Sequence, residues 1–291
     1  MRPKFLTIIF VFVLLVFGYL QSAQADSPVW KVVKGDRHVY IGSTIHVLSK
    51  SDYPLPAAFE TAYNQSAKLI FETDTRKLQT LEFQAALMNK AVYADGRNLK
   101  TVLSASTFQK LETHLTSRGI PISTFIKLKP GIVAVTITII ELQRLGLMGT
   151  GVDEYFSLRA LNDQKMVGQL ETVDDQLELI SSLGDGQENQ IINHTLQETK
   201  KLPDLMQTMK IAWRQGDNAT LENIILAPLK KDFPGVYHRV VIKRNNAWLP
   251  KIETLLKTAE VEFILVGALH LIGADGVLAK LKDRGYNIQE L

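Results

Sequence analysis

Four polar side chains stand at the points where apolar, strand-like runs of the sequence end. They are His46, Glu72, Glu171 and His270. If these strands are parallel neighbours, their carboxyl ends share one rim of the sheet, which is where ligands bind in open α/β proteins. Two imidazoles with one or two carboxylates suit a divalent Zn, Mn, Co or Fe ion. Such an ion would polarise a carbonyl and lower the pKa of a bound water, with the remaining carboxylate as general base.

The two histidines end similar segments that lie near opposite ends of the chain. Each segment is apolar and contains small residues just before its histidine, Gly42-Ser43 in the first and Gly267-Ala268 in the second. Small residues allow the backbone to turn sharply and to approach a ligand closely.

Each of the four residues also has a purely structural interpretation. A single histidine after a strand is more often a loop residue or bonded to a backbone carbonyl than a ligand. Glu72 and Glu171 are equally consistent with solvated carboxylates or with caps of the helices that follow them. The metal-site hypothesis therefore depends on all four residues occurring at the same position relative to their strands.

The elements that must position these residues are short strands separated by long helical blocks. Strands are expected at residues 30–33, 38–41, 68–72, 165–171, 262–266 and 286–290. Apolar residues recur every three or four positions in the blocks at about 75–161 and 173–257, which is typical of helices. This order predicts an α/β fold with a mixed, mainly parallel central sheet and large helical insertions that form a lobe over it. We expect residues 26–291 to form a single domain.

The first 25 residues have the layout of a secretory signal peptide. Arg2 and Lys4 precede the apolar run 5–20, and a small-residue site ends at Ala25. We expect cleavage there and a periplasmic or secreted location in a bacterium. The alternative is an uncleaved membrane anchor, although the apolar run is shorter than the about 20 residues that a span needs.

The composition excludes several classes of protein. Arg2 and Lys4 account for two of the three excess positive charges of the chain, and no cluster of Lys and Arg indicates a nucleic-acid partner. The chain contains no cysteine, which excludes disulfides, thiolate metal sites and a cysteine nucleophile. An exported protein without disulfides fits a bacterial periplasm or surface. The sequence also lacks HExxH, GxSxG and GxxxxGK[ST] motifs, so the commonest zinc-protease, serine-hydrolase and nucleotide sites are not indicated.

An ordered set of short motifs resembles a known family. In chain order the motifs are GSTIH (42–46), LIFE (69–72), GVD (151–153), QLET (169–172), WRQGD (213–217), RNNAW (244–248) and GALH (267–270). Together they resemble the TraB/GumN family over almost all of residues 26–291. That family includes the Tiki-type membrane metalloproteases, and its core is similar to the haem-binding ChaN and erythromycin esterase folds.

The resemblance implies a divalent-metal-dependent hydrolase that acts on a peptide or protein. It implies that His46, Glu72 and His270 lie near a metal such as Mn, Co or Zn. It further implies that Glu171 and Arg244 assist proton transfer or stabilise an oxyanion. Membrane contact is expected only through the N-terminal segment, if that segment is not cleaved.

Two alternatives and one departure from the family pattern remain. The same rim is compatible with a non-enzymatic protein that binds haem, metal or a peptide, and with metal-free hydrolysis by His and Glu. The departure is Ser43, which occupies the glycine position of the first motif. Serine is small enough for a tight turn unless the backbone φ there must be positive.

Overall fold

The structure, a computed structural model, describes residues 27–291, so the predicted signal peptide at residues 1–25 lies outside the described residues. A single six-stranded sheet runs through the described part. Its strands are β1 (Val29–Lys34), β2 (Arg37–Thr44), β3 (Lys68–Phe71), β4 (Met166–Gln169), β5 (Glu262–Gly267) and β6 (Asn287–Glu290).

The strand order is β4-β3-β5-β2-β1-β6. The first four strands in this order are parallel neighbours, whereas β1 pairs antiparallel with both β2 and β6. The predicted mixed, mainly parallel α/β sheet is therefore confirmed. Because β4, β3, β5 and β2 run in one direction, their carboxyl ends form a single rim.

Helices occupy most of the remaining chain. They are α1 (Ala57–Gln65), α2 (Leu81–Ala91), α3 (Leu99–Val102), α4 (Ala105–Thr116), α5 (Pro130–Arg144), α6 (Val152–Asn162), α7 (Val173–Ser181), α8 (Glu188–Glu198), α9 (Leu202–Arg214), α10 (Asn218–Leu221), α11 (Ala227–Asp232), α12 (Pro234–Tyr237), α13 (Arg244–Leu255) and α14 (Val277–Asp283). Two π-helical segments, Glu222–Leu226 and His238–Lys243, join α10 to α11 and α12 to α13. Within residues 27–291, no helix has both the length and the apolar character needed to cross a membrane.

Apolar side chains cover both faces of the sheet, as a largely parallel sheet requires. On one face Phe263 packs against aromatic residues of the covering helices, among them Phe59 of α1 and Phe156 of α6. On the other face Ile264 belongs to a cluster that contains Trp248 of α13. Complete burial of a side chain such as Phe263 contributes about 1.5–3 kcal/mol relative to exposure. These two layers hold the sheet, and with it the rim, in place.

A third apolar cluster lies entirely within the helices between β3 and β5. Its fully buried members include Leu99, Leu111, Val133 and Ile192, from α3, α4, α5 and α8. No strand residue contributes to this cluster, so these helices have a core of their own. We refer to α3, α4, α5 and α8 as the helical lobe.

Candidate functional site

A buried hydrogen-bonded cluster lies at the carboxyl rim of the sheet, and Arg244 is its centre. The guanidinium donates from Nη2 to Glu72 Oε2 at 2.5 Å and to Glu171 Oε1 at 2.7 Å. Its Nε donates to Glu171 Oε2 at 3.0 Å, and its Nη1 lies 2.8 Å from His270 Nε2. The rim thus brings together four of the five predicted site residues in direct contact.

Arg244 reaches the rim because of the helix that carries it. It is the first residue of α13 and directly follows the π-helical segment His238–Lys243. Such segments are frequent at functional sites. One turn later, Trp248 donates from its indole Nε1 to Glu171 Oε2 at 3.0 Å. The same indole ring lies 4.6 Å from the guanidinium carbon and 4.4 Å from the centre of the His270 ring.

The structural interpretation of Glu171 as a helix cap is not what the structure shows. Thr172 is the N-cap of α7, in a capping box with Asp175. The carboxylate of Glu171 instead accepts bonds from Arg244, from Trp248 and, at 2.5 Å, from Gln176 Nε2. The carboxylate of Glu171 therefore holds Arg244 and Trp248 in position.

The neighbours of His270 determine its tautomer. The side-chain NH2 of Asn245 donates to the backbone carbonyls of His270 and Asp275 at 3.1 and 2.9 Å. The Asn245 Oδ1 atom, 2.7 Å from His270 Nδ1, must then accept a proton from that ring nitrogen. Nε2 is left as the acceptor that faces Arg244. Since His270 is only 3% exposed, burial lowers its pKa to about 3, and the ring is neutral.

Glu72 is an ionised, buried carboxylate. Its Oε1 accepts the backbone N–H of Gly267 at 2.7 Å, and its Oε2 accepts from Arg244. Burial raises the pKa of Glu72, but its interactions with His270, Arg244 and His46 and the hydrogen bond from Gly267 outweigh this effect and lower the pKa to about 2.

His46 forms a separate and more open corner of the rim. It lies two residues beyond the end of β2, and its side chain is 68% exposed. Its Nδ1 is 2.7 Å from Oδ2 of Asp153, a buried residue in the first turn of α6. The charge of Asp153 raises the pKa of His46.

Close backbone packing holds the His46 corner against the start of α6. A Cβ at Gly151 would lie 2.2 Å from the carbonyl oxygen of His46, and a Cβ at Gly149 would lie 2.2 Å from that of Leu48. The N–H of Val152 donates to the carbonyl of Ile45 at 3.1 Å. Only glycine fits at positions 149 and 151.

The serine that departs from the family motif is accommodated without strain. Ser43 lies inside β2, in register with Val266 of β5. Among the described residues, the non-glycine residue with a positive φ is Gln164. The φ of Ser43 is therefore not positive, and glycine is not required at position 43. The carbonyl of Ser43 also accepts the indole N–H of Trp213 at 2.9 Å.

The two corners meet above Gly267. A Cβ added to this glycine would lie 3.2 Å from Glu72 Oε1, 3.8 Å from His270 Cδ2 and 3.9 Å from His46 Nε2. The close approach that the small residues predicted therefore occurs at Gly267, where three predicted ligands border one space.

The donor set fits a divalent metal in atom type and orientation. Each imidazole has its Nδ1 tied to an oxygen atom, of Asp153 or of Asn245, and presents Nε2 to the rim, an arrangement typical of metal-binding histidines. Among residues 27–291, however, no three His, Asp or Glu side chains are gathered closely enough to hold a metal as they stand. Arg244 is the cation bonded to these donors in this structure.

The remaining histidines lie outside the cluster at the rim. His114 is in α4 of the helical lobe, with Nε2 3.2 Å from the buried Glu141. His194 is in α8, His38 is in β2, and His238 begins a π-helical segment.

The comparison with protein families agrees with the motifs. The sequence model of the TraB/PrgY/gumN family matches residues 28–290. The chain belongs to this family. It is 26% identical over 244 residues to an Escherichia coli K12 protein named "Uncharacterized protein YbaP", covering 82% of this chain and 86% of that protein. A Shigella flexneri protein of the same name shows the same identity and coverage. No solved structure gave a significant match.

Sequence reasoning missed three residues of the site, namely Asp153, Asn245 and Trp248. All three lie inside motifs shared with the TraB/PrgY/gumN family, but the motifs by themselves do not state what each residue contacts. A usable signal was present for two of them, because positions 245 and 248 share the first helical turns of α13 with Arg244.

Proposed function

We propose that this protein is a divalent-metal-dependent hydrolase that acts on peptides, with its reaction centre at the carboxyl rim. The supporting observation is the convergence above Gly267, where Glu72 Oε1, His46 Nε2 and the His270 ring border one space. Under this proposal His46, Glu72 and His270 hold the metal, and the family membership of the chain is consistent with it.

A divalent ion, when bound, polarises a carbonyl and lowers the pKa of a water molecule. The protein's own residues prepare the rim for that chemistry. Asn245 keeps the proton of His270 on Nδ1, which leaves Nε2 as a donor atom, and Asp153 orients His46 in the same way. Glu72 is held as a carboxylate by Arg244 and by the Gly267 N–H.

Arg244 is the residue suited to stabilise an oxyanion. It is a permanent cation, and Glu171 fixes its plane through two parallel hydrogen bonds. Preorganised donors of this kind lower the free energy of a charged transition state because they need no reorganisation during the reaction. Glu171, whose oxygens are fully engaged, acts by holding Arg244 rather than by moving a proton.

The proposal is tested by metal content and peptide hydrolysis of the purified protein. We expect stoichiometric binding of Mn, Co or Zn and turnover of a peptide library that chelation removes and one of these metals restores. His270→Ala is expected to abolish both properties. The matched control, His114→Ala, changes a histidine in the helical lobe and is expected to preserve both.

Three outcomes would contradict the proposal in different ways. Turnover that persists after complete chelation would favour metal-free hydrolysis by His and Glu. Metal binding without turnover would favour a non-enzymatic binding protein. Equal metal occupancy in His270→Ala and the unaltered protein, by elemental analysis, would remove His270 from the site.

We also propose that the protein is exported and cleaved after Ala25. The supporting feature is the basic, apolar and small-residue order of the first 25 residues. N-terminal sequencing of the protein recovered from a bacterial periplasmic extract should begin at Asp26. A membrane-bound protein that begins at Met1 would instead support an uncleaved anchor.

A further inference from the structure

The buried rim contains more negative than positive charge. Glu72 and Glu171 are both buried carboxylates and Arg244 supplies one positive charge, while His270 donates from Nδ1 to Asn245 and accepts from Arg244 at Nε2, as a neutral ring does. Buried charges are stable only when they are paired and hydrogen-bonded. The rim is therefore an environment that attracts a further cation, and Arg244 is the cation already present.

Arg244 is held by a bidentate pair at one end and by a single bond at the other, and its Nη2 also donates to Glu72 Oε2 at 2.5 Å. Its Nε and Nη2 form a bidentate pair with both oxygens of Glu171 at 3.0 and 2.7 Å. Glu171 is itself fixed by Trp248 and Gln176. At the opposite end, Nη1 has one partner in the rim, His270 Nε2, at 2.8 Å.

His270 cannot turn away from this contact without losing its own support. Its Nδ1–H is bonded to Asn245 Oδ1, its carbonyl accepts from the Asn245 side-chain NH2, and Trp248 packs beside its ring. A neutral imidazole has one acceptor lone pair. The lone pair on Nε2 therefore serves either Arg244 or a metal ion, but not both.

We propose that Arg244 is a resident cation that competes with a divalent metal for Nε2 of His270. Metal binding breaks the Nη1–His270 bond, while the bidentate bond to Glu171 stays in place as a pivot. Nη1 then becomes a free donor at the rim, so that binding of the metal also releases the group suited to an oxyanion. This inference rests on the metal ligands named in the proposed function.

The test is the affinity of the full-length protein for Mn2+ alone, measured by isothermal titration calorimetry. Arg244→Met keeps the length of the side chain and removes the competing donors. We expect it to bind Mn2+ at least about tenfold more tightly than the unaltered protein, the effect of losing one hydrogen bond to a charged group. Two controls should leave the affinity unchanged. Arg118→Met removes an arginine from another buried carboxylate, Glu141, and Lys243→Met removes a charge next to Arg244.

A second measurement does not depend on how well Arg244→Met folds. In the unaltered protein, addition of Zn2+ should shift the NMR signals of His270 Nε2 and of the Arg244 guanidinium. The side-chain NH2 signal of Gln176, which donates to Glu171 Oε1, should stay in place. A shift of all three signals, or of none of the three, would contradict the proposal that Arg244 leaves His270 while it stays bonded to Glu171.

The outcomes separate this inference from the proposed function. Equal or weaker Mn2+ binding by Arg244→Met overturns the competition while leaving a metal-dependent enzyme intact. Mn2+ binding by Arg244→Met alone supports the competition and contradicts metal dependence of the unaltered protein. Absence of binding by both proteins overturns both ideas. If Lys243→Met gained the same affinity for Mn2+, the loss of any nearby positive charge would explain the result. That outcome would also contradict the competition between Arg244 and the metal.

Discussion

The two histidines end similar strands but belong to very different environments. His270 is 3% exposed, neutral and bonded at both ring nitrogens, whereas the His46 side chain is 68% exposed and has one partner, Asp153. The difference arises from the covering helices. α13 supplies Arg244, Asn245 and Trp248 at the His270 turn, whereas α6 supplies Asp153 at the His46 corner.

This contrast shows how one rim combines rigidity with access. A buried corner fixes donor atoms in one tautomer and one direction, and an open corner leaves a path for substrate. Because hydrogen bonds strengthen and unpaired groups become costly in a buried environment, changes at the His270 corner should affect folding far more than changes at the His46 corner.

The largest expected effect comes from deleting each imidazole in turn. His270→Ala leaves Arg244 Nη1 and Asn245 Oδ1 without their partners inside the protein, so we expect a loss of about 2–4 kcal/mol in the free energy of unfolding. His46→Ala removes an exposed side chain and should cost less than about 1 kcal/mol. Urea unfolding of both variants measures the difference. Equal losses would contradict the conclusion that the His270 corner contributes more to stability than the His46 corner.

The backbone contact at the open corner should produce an intermediate effect. Gly151→Ala introduces a Cβ that would lie 2.2 Å from the His46 carbonyl oxygen, so the loop must move. We expect a loss of about 1–3 kcal/mol. Gly235→Ala is the matched control, because a Cβ there meets only Arg239 Nη1 at 3.7 Å. Unfolding curves that coincide for the two variants would show that the His46 loop adapts freely.

The smallest effect on stability is expected from Asp153→Asn. The pair with His46 is largely exposed on the histidine side, and such pairs contribute about 0–1 kcal/mol. The orientation of the His46 ring should change more than the free energy of unfolding. Metal affinity should therefore fall about 10–100-fold, as is typical when the partner of a ligating histidine is changed. Calorimetric Mn2+ titration tests this directly. A large loss of stability with unchanged affinity would assign Asp153 a purely structural role.

Much of the fold could be predicted because its signals are local. The helical spacing of residues 75–161 agrees with α2 to α6, which occupy most of that block. The capping box that Thr172 forms with Asp175 at the start of α7 is another feature set by four consecutive residues. β4 is shorter than predicted, Met166–Gln169 rather than 165–171, because it is the edge strand and pairs with β3 over four residues only. Strand length thus depends on a neighbour that the sequence does not specify.

The sequence alone determined which residues stand at the ends of the parallel strands. A strand's apolar run and the residues that directly follow it are properties of a few consecutive positions, so His46, Glu72, Glu171 and His270 could be found without a structure. The family followed from the order of short motifs for the same reason.

Only the tertiary structure decided which side chains pair through hydrogen bonds and opposite charges at the rim. The bond between His46 and Asp153 spans 107 residues, and the bond between Arg244 and Glu72 spans 172. These partners are set by the strand order and by the helices that pack over the rim, both of which depend on burial of apolar surface between segments that are distant in sequence. Whether a histidine is buried and neutral or exposed beside a carboxylate follows from that packing, which no local pattern contains.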